Sequence, residues 1–344
     1  YDDLTFQSTA GGANGAIVAY STADTVDVTT GADVPDGTYM SAPTGSGVVT
    51  MGTTLLVDTG LENDTLVSVL GVSEGTVLTS FDPVETDDAV SAVNLEAKAQ
   101  QVLTIVTVAK KALEGAGVSP AVALRAATKA VAESIAEQVE AGGAAELDMS
   151  DGAFLSAVIQ TSTEDDSLLA DLGSAEALTV LQTTVSASSE ALQQTIKAVS
   201  DLIQQGLEDA EAAIDRGETV SVQTLVSGDV LNAITGISDA AEAVKTNTET
   251  AVVAVQAIIE DPENAGKTLS ELLALAEADE TVAGTLASLV EEASSVINNP
   301  APEITLTTTA DTVSDGSNVL YFGIGNGVVV ASVSATDQSE PDGE

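Results

Sequence analysis

The sequence predicts an α+β protein in which a central antiparallel helical bundle, residues 61–299, is flanked by N- and C-terminal β segments, 1–60 and 300–336, that form a β domain. A short acidic tail, 337–344, follows. Three observations carry this. The middle of the chain has a helical period and is rich in Ala, Leu, Val, Glu and Gln, whereas both ends hold short strand-like runs, those of the N-terminal end separated by Gly-Gly, Pro-Asp-Gly and Gly-Ser-Gly. Pro300 and Pro302 stop the last helix. Thr22-Ala23-Asp24-Thr25-Val26 recurs as Thr309-Ala310-Asp311-Thr312-Val313, so the two ends are expected to be related.

In order along the chain, strands are expected at 4–8, 16–20, 25–29 and 48–57. A helix follows where Leu95, Ala99, Val102, Val106, Ala109 and Leu113 keep alternating spacings of four and three, ending at Gly115 and Gly117. Ser119 and Pro120 supply an N-cap and a first-turn residue for the next, lined by Leu124, Ala127, Val131, Ile135 and Val139 until Gly142 and Gly143. From the Ser174 cap, Leu178, Leu181, Val185, Leu192, Ile196, Val199, Ile203 and Leu207 predict one long helix, continuing towards Ile214. About forty residues would span roughly 60 Å and imply an elongated body. Further helices are expected over 240–259, 269–276 and 282–297, and strands over 303–309 and 318–333.

The 344 residues include 54 acidic and 9 basic side chains, for a net charge of −45. That balance repels nucleic acid and anionic lipid, and it is tolerable where salt or divalent cations are plentiful. All nine bases, from Lys98 to Lys267, lie in the middle of the chain. Cysteine is absent, which excludes disulfides and thiolate chemistry and agrees with export from a bacterium. No apolar run reaches the length of a membrane span, and Tyr1 reads as a processed N-terminus whose signal peptide is gone.

The absence of both His and Cys removes the commonest acid–base and nucleophilic constellations, so the chain is expected not to be an enzyme. A carboxylate glycosidase needs neither, but sugar sites favour aromatic platforms, and the chain has no Trp, four Tyr and four Phe. Zinc lacks ligands. Calcium takes oxygen ligands, for which Asp311, Asp315 and Asn318 are the first candidates. Asp33 and Asp36 beside Gly37, and Asp82, Glu85, Asp87 and Asp88, are the others. A polar turn between strands is the other reading of 311–318, and helix capping that of 85–88.

Asn63 through Val72, with its Leu70-Gly71-Val72 step, then Phe81-Asp82-Pro83, then the helix bearing Gln100, Gln101 and Val102, resembles a segment of large repetitive bacterial surface proteins. The Thr-Ala-Asp-Thr-Val copies resemble phrases of calcium-binding repeat (RTX-like) adhesins and surface-layer proteins, although the Gly-rich nonapeptide repeat itself is missing. The resemblance implies secretion and a cell-surface or matrix role, and brings no catalytic residue.

Together these readings predict an extracellular structural subunit that assembles with copies of itself, and with other cell-surface components, into a filament, tube or layer. The alternative is a calcium-dependent adhesin module. Strand exchange is the expected joint, with Val319, Tyr321, Ile324, Val328, Val330 and Val333 as one donor segment. Leu4 and Phe6, with Ile17 and Val18, mark the other.

Overall fold

The computed structural model describes residues 16–22, 25, 38–142, 147–222, 228–297, 303–308 and 331–336. These residues are 71% helical. The chain divides into two units, Tyr1–Asn298 and Asn299–Glu344. The expectation of a β domain built from the two ends is overturned: among the described residues the first unit holds one two-stranded ladder, and the rest of its regular structure is helix.

In that ladder β1 (Ala16–Tyr20) pairs antiparallel with β2 (Tyr39–Pro43). Next comes α1 (Met51–Thr59), where the sequence pattern called for a strand over 48–57. The β-branched residues Val48, Val49, Thr50, Thr53, Thr54 and Val57 imitate a strand, but the hydroxyls decide otherwise. The Thr50 hydroxyl accepts from the Thr53 N–H at 3.3 Å while the Thr53 hydroxyl accepts from the Thr50 N–H at 2.9 Å, a reciprocal cap that nucleates a helix. Tertiary burial of Met51 and Leu55 then outweighs β-propensity.

Helix α2 (Asn63–Val69) ends at Gly71, whose φ of 65° puts it in the left-handed region. The Val72 N–H bonds back to Val67 O at 3.0 Å, which closes a Schellman turn and explains the Leu-Gly-hydrophobic step.

Helix α3 (Ala89–Gly115) contains the predicted heptad and is the centre of the first unit, packed against α4 (Pro120–Gly142), α8 (Ser189–Asp215) and α9 (Gly228–Glu260). Neighbours on several sides bury its polar residues as well as its apolar ones, and the buried set includes Glu96, Lys98, Gln100, Gln101 and Lys110. Lys98, 3% exposed, donates to Leu147 O at 2.8 Å, and the Gln100 amide donates to Glu96 at 2.8 Å. Lys98 and Gln100 are tolerated there because they are hydrogen-bonded.

Between α4 and α8 lie α5 (Gly152–Ser162), α6 (Asp166–Leu172) and α7 (Ala175–Ala187). The expected forty-residue helix is therefore two helices, divided at Ser188. The Thr184 hydroxyl donates to Val180 O at 2.8 Å and the Ser188 hydroxyl to Thr184 O at 2.8 Å. Serine and threonine that bond back to the preceding turn bend a helix, and four residues of the run 184–189 are of these types.

A 3₁₀ turn (Pro262–Asn264), α10 (Leu269–Ala278) and α11 (Glu280–Ile297) complete the first unit. In the second unit, β3 (Glu303–Thr308) and β4 (Ala331–Thr336) form an antiparallel ladder with Leu306 opposite Val333.

Candidate functional site

Most of the residues singled out by sequence lie outside the described residues. This holds for Asp311, Asp315, Asn318, Val319, Tyr321, Ile324, Val328 and Val330, for Leu4 and Phe6, and for Asp33 and Asp36. Val333 is described, on β4. Ile17 and Val18 are on β1.

The acidic run before α3 is assembled as a turn and a cap. Asp82 accepts from the Val84 N–H at 2.8 Å. Asp88 accepts from the Ser91 N–H at 3.1 Å and from its hydroxyl at 2.7 Å, which makes it the N-cap of α3. Burial pushes the Asp88 carboxyl up, but hydrogen bonds from Ser91 and Ser73 prevail and hold it below the usual carboxylate range. Among the described residues no group of three or more acidic side chains is arranged to hold a metal ion.

The surface with a definable interaction chemistry is the β1–β2 ladder. Its inner strand is fixed by α1: the Thr54 hydroxyl accepts from the Ser41 N–H at 2.9 Å, and the Thr53 hydroxyl donates to the Ser41 carbonyl at 2.9 Å. Both main-chain groups of Ser41 therefore face away from β1, and α1 closes the outer edge of β2. In an antiparallel pair this orientation alternates, so Val18, the partner of Ser41, also turns its N–H and C=O away from the ladder. Ala16 and Tyr20, two residues either side, do the same. The Ser21 N–H, bonded to Thr38 O at 2.7 Å, keeps the alternation in phase. Among the described residues β1 pairs with β2 alone. Among the described residues the unpaired edge thus belongs to β1, where Val18 is 43% and Tyr20 70% exposed.

Tyr39 anchors the same ladder. Its ring centroid lies 6.3 Å from that of Tyr20, and its hydroxyl donates to Asp58 on α1 at 2.9 Å. Burial pushes the Asp58 carboxyl above its ordinary value, partly offset by the Tyr39 hydrogen bond. Burial, then the Asp58 charge, pushes the Tyr39 phenol up as well. Sequence reasoning missed this latch and the threonine pair on Ser41. The spacing of Thr50 and Thr53 was the one available signal, since it announces a helix start beside β2.

Comparison of the chain with protein families, with curated proteins and with solved structures finds no match. No helix among the described residues is long and apolar enough to cross a membrane.

Proposed function

We propose that this chain is an extracellular structural subunit, without enzymatic activity, that assembles with copies of itself at a bacterial cell surface by adding a strand to the open edge of β1. The observation that carries this reading is the asymmetry of the first ladder: β2 is closed by Thr53 and Thr54, while Ala16, Val18 and Tyr20 offer main-chain donors and acceptors. An edge of this kind is a template for an extended segment, whose main chain supplies affinity and whose side chains supply specificity. A two-stranded ladder is also marginal alone and gains stability from a third strand. The donor in this reading is the part of the C-terminal segment that precedes β4, 319–330, of a neighbouring copy. The resemblance of 63–112 to repetitive surface proteins and the lack of His and Cys fit the same role.

A charge of −45 on each subunit requires screening by salt or a divalent cation such as calcium before copies can pack. Electron microscopy of the full chain across salt and calcium concentrations tests the proposal, with ordered polymers as the expected result. Val18→Pro supplies the decisive variant. It removes one outward N–H without touching a β1–β2 hydrogen bond, so polymers should disappear while the melting transition is retained. A chain that stays monomeric in every condition, or a Val18→Pro protein that polymerises normally, overturns the proposal. The monomeric outcome would favour a ligand-binding adhesin module.

A further inference from the structure

A second surface, independent of the β1 edge, lies on the last turns of α9. Val253, Ala254, Ala257 and Ile258 recur at spacings of one, three and four residues, and so form one face of that helix. They floor an open groove of about 680 Å³. Its far wall is Asn264 of the 3₁₀ turn and Thr281 at the start of α11. Val253, in the middle of the floor, is 70% exposed, as much as Tyr20 on the β1 edge. Three carboxylates stand on the rim, Glu249, Asp261 and Asp279, and no basic residue lines the groove.

Each rim carboxylate has chemistry to spare. Asp261 uses Oδ1 to accept from the Glu263 N–H at 2.9 Å. Asp279 uses Oδ1 to accept from the N–H groups of Thr281 and Val282, at 2.9 and 3.2 Å. Glu249 faces only a 4.0 Å contact with Lys245. The second oxygens of the two aspartates bond no described residue.

We infer that this groove docks a cationic amphipathic helix of another protein, its apolar side chains on Val253, Ala254, Ala257 and Ile258 and its Lys or Arg residues on Glu249, Asp261 and Asp279. The occupant is a helix because the floor is a helix: its main chain is internally bonded and offers no edge to an extended segment, whose own N–H and C=O groups would be left unpaired. The alanines lower the floor, so that a ridge of the incoming helix can enter. From Glu249 to Asp261 the face runs about 18 Å, the length of roughly twelve helical residues. The occupant is cationic because every charge on the rim is negative. A second copy would bring its own charge of −45 against that rim.

A dye-labelled helical peptide of about fourteen residues, built from Leu and Lys, is the probe, with a peptide of equal charge but no apolar face as its companion. Fluorescence anisotropy with the full chain should show saturable binding of the first and far weaker binding of the second. Amide exchange should slow over 249–261. Val253→Asp adds negative charge yet destroys the floor, so it should weaken binding by at least about tenfold. Leu169→Asp, at another exposed apolar position on α6, should leave binding unchanged. Equal binding of the two peptides, tighter or unaltered binding to Val253→Asp, or protection confined to other helices overturns the inference. Neither outcome depends on whether the chain polymerises.

Discussion

Helix α9 is one helix with two kinds of neighbourhood. Near Lys245 and Thr248 it lies so close to α3 that a Cβ on Gly115 would sit 2.5 Å from the Lys245 carbonyl oxygen and 2.8 Å from the Thr248 Cβ. Within about two turns Val253 stands in solvent. The residue types are the same in both stretches: Ala, Val, Thr and Glu. What differs is the partner. Where α3 ends in a glycine, two backbones meet and the flanking apolar residues join the main core. Beyond that point, among the described residues, the helix also packs on the small cluster of Val180, Val255, Ala276 and Val282, and Val253 is left exposed. Burial here is set by the neighbour's size, not by the helix's own composition.

The comparison can be broken most severely in the main core. Ile105→Ala on α3, a fully buried position, should cost about 4 kcal/mol in urea unfolding. Gly115→Ala should cost about 3 kcal/mol despite alanine's better helix propensity, because the atom it meets is backbone and cannot rotate aside. The same deletion logic should weigh less at the small cluster. Val255→Ala is expected to cost about 2 kcal/mol, with faster amide exchange confined to α9's last turns, α10 and α11. If exchange speeds up equally in α3, the two neighbourhoods are one cooperative unit. Thr268→Ala removes one half of the reciprocal cap of α10, the Thr268 hydroxyl that accepts from the Glu271 N–H at 3.4 Å, and should cost about 1 kcal/mol by the same assay.

The smallest effects are expected from pH, and they have opposite signs. At Asp165, the α6 cap, burial pushes the carboxyl up, but hydrogen bonds from the Ser167 hydroxyl and N–H, and the Lys129 ammonium, hold it at about 2, below its ordinary 3.8. Its stabilisation is therefore present above pH 3.8 and lost as pH falls towards 2. Asp58 has a raised carboxyl, so its contribution is complete below 3.8 and is lost as pH rises through the folded value. At pH 7, Asp165→Asn should be less stable than the natural chain and Asp58→Asn equally or more stable. Both differences should stay within about 1 kcal/mol, since Lys129 is half-exposed, and shrink in acid. Urea unfolding from pH 7 down to pH 2.5 checks the signs; the same sign at both sites would refute the assignment.

Several elements were legible because their signals are local. Asp88, Ser119 with Pro120, and Ser174 all stand at helix starts, and capping is a matter of hydrogen bonds within three or four residues. The heptad of α3 was legible for a similar reason: a repeated spacing needs no knowledge of the partner. The reading failed at 48–57, where β-branched residues imitate a strand but threonine hydroxyls cap a helix. It failed again at Ser188, where periodicity continues across a bend. Val18 was read as lying in a strand and is on β1, but which way its main-chain groups turn depends on the pairing with Ser41, and the groove on α9 drew no notice.

By itself, then, the sequence determined the charge of the molecule, the chemistry it lacks, and where most helices of the middle begin. These follow from side-chain type and from bonds between near neighbours. Only the tertiary structure decided that, among the described residues, α1 bonds the outer edge of β2 while β1 pairs with β2 alone, that α3 is buried among α4, α8 and α9, and that α9 is covered in one stretch and exposed at Val253 in the next. Each of these depends on which element arrives alongside from a distant part of the chain: Thr54 on Ser41, Gly115 on Lys245, Asp279 opposite Val253. An edge or a groove is defined by a missing neighbour, and a sequence records its own residues but not the space beside them.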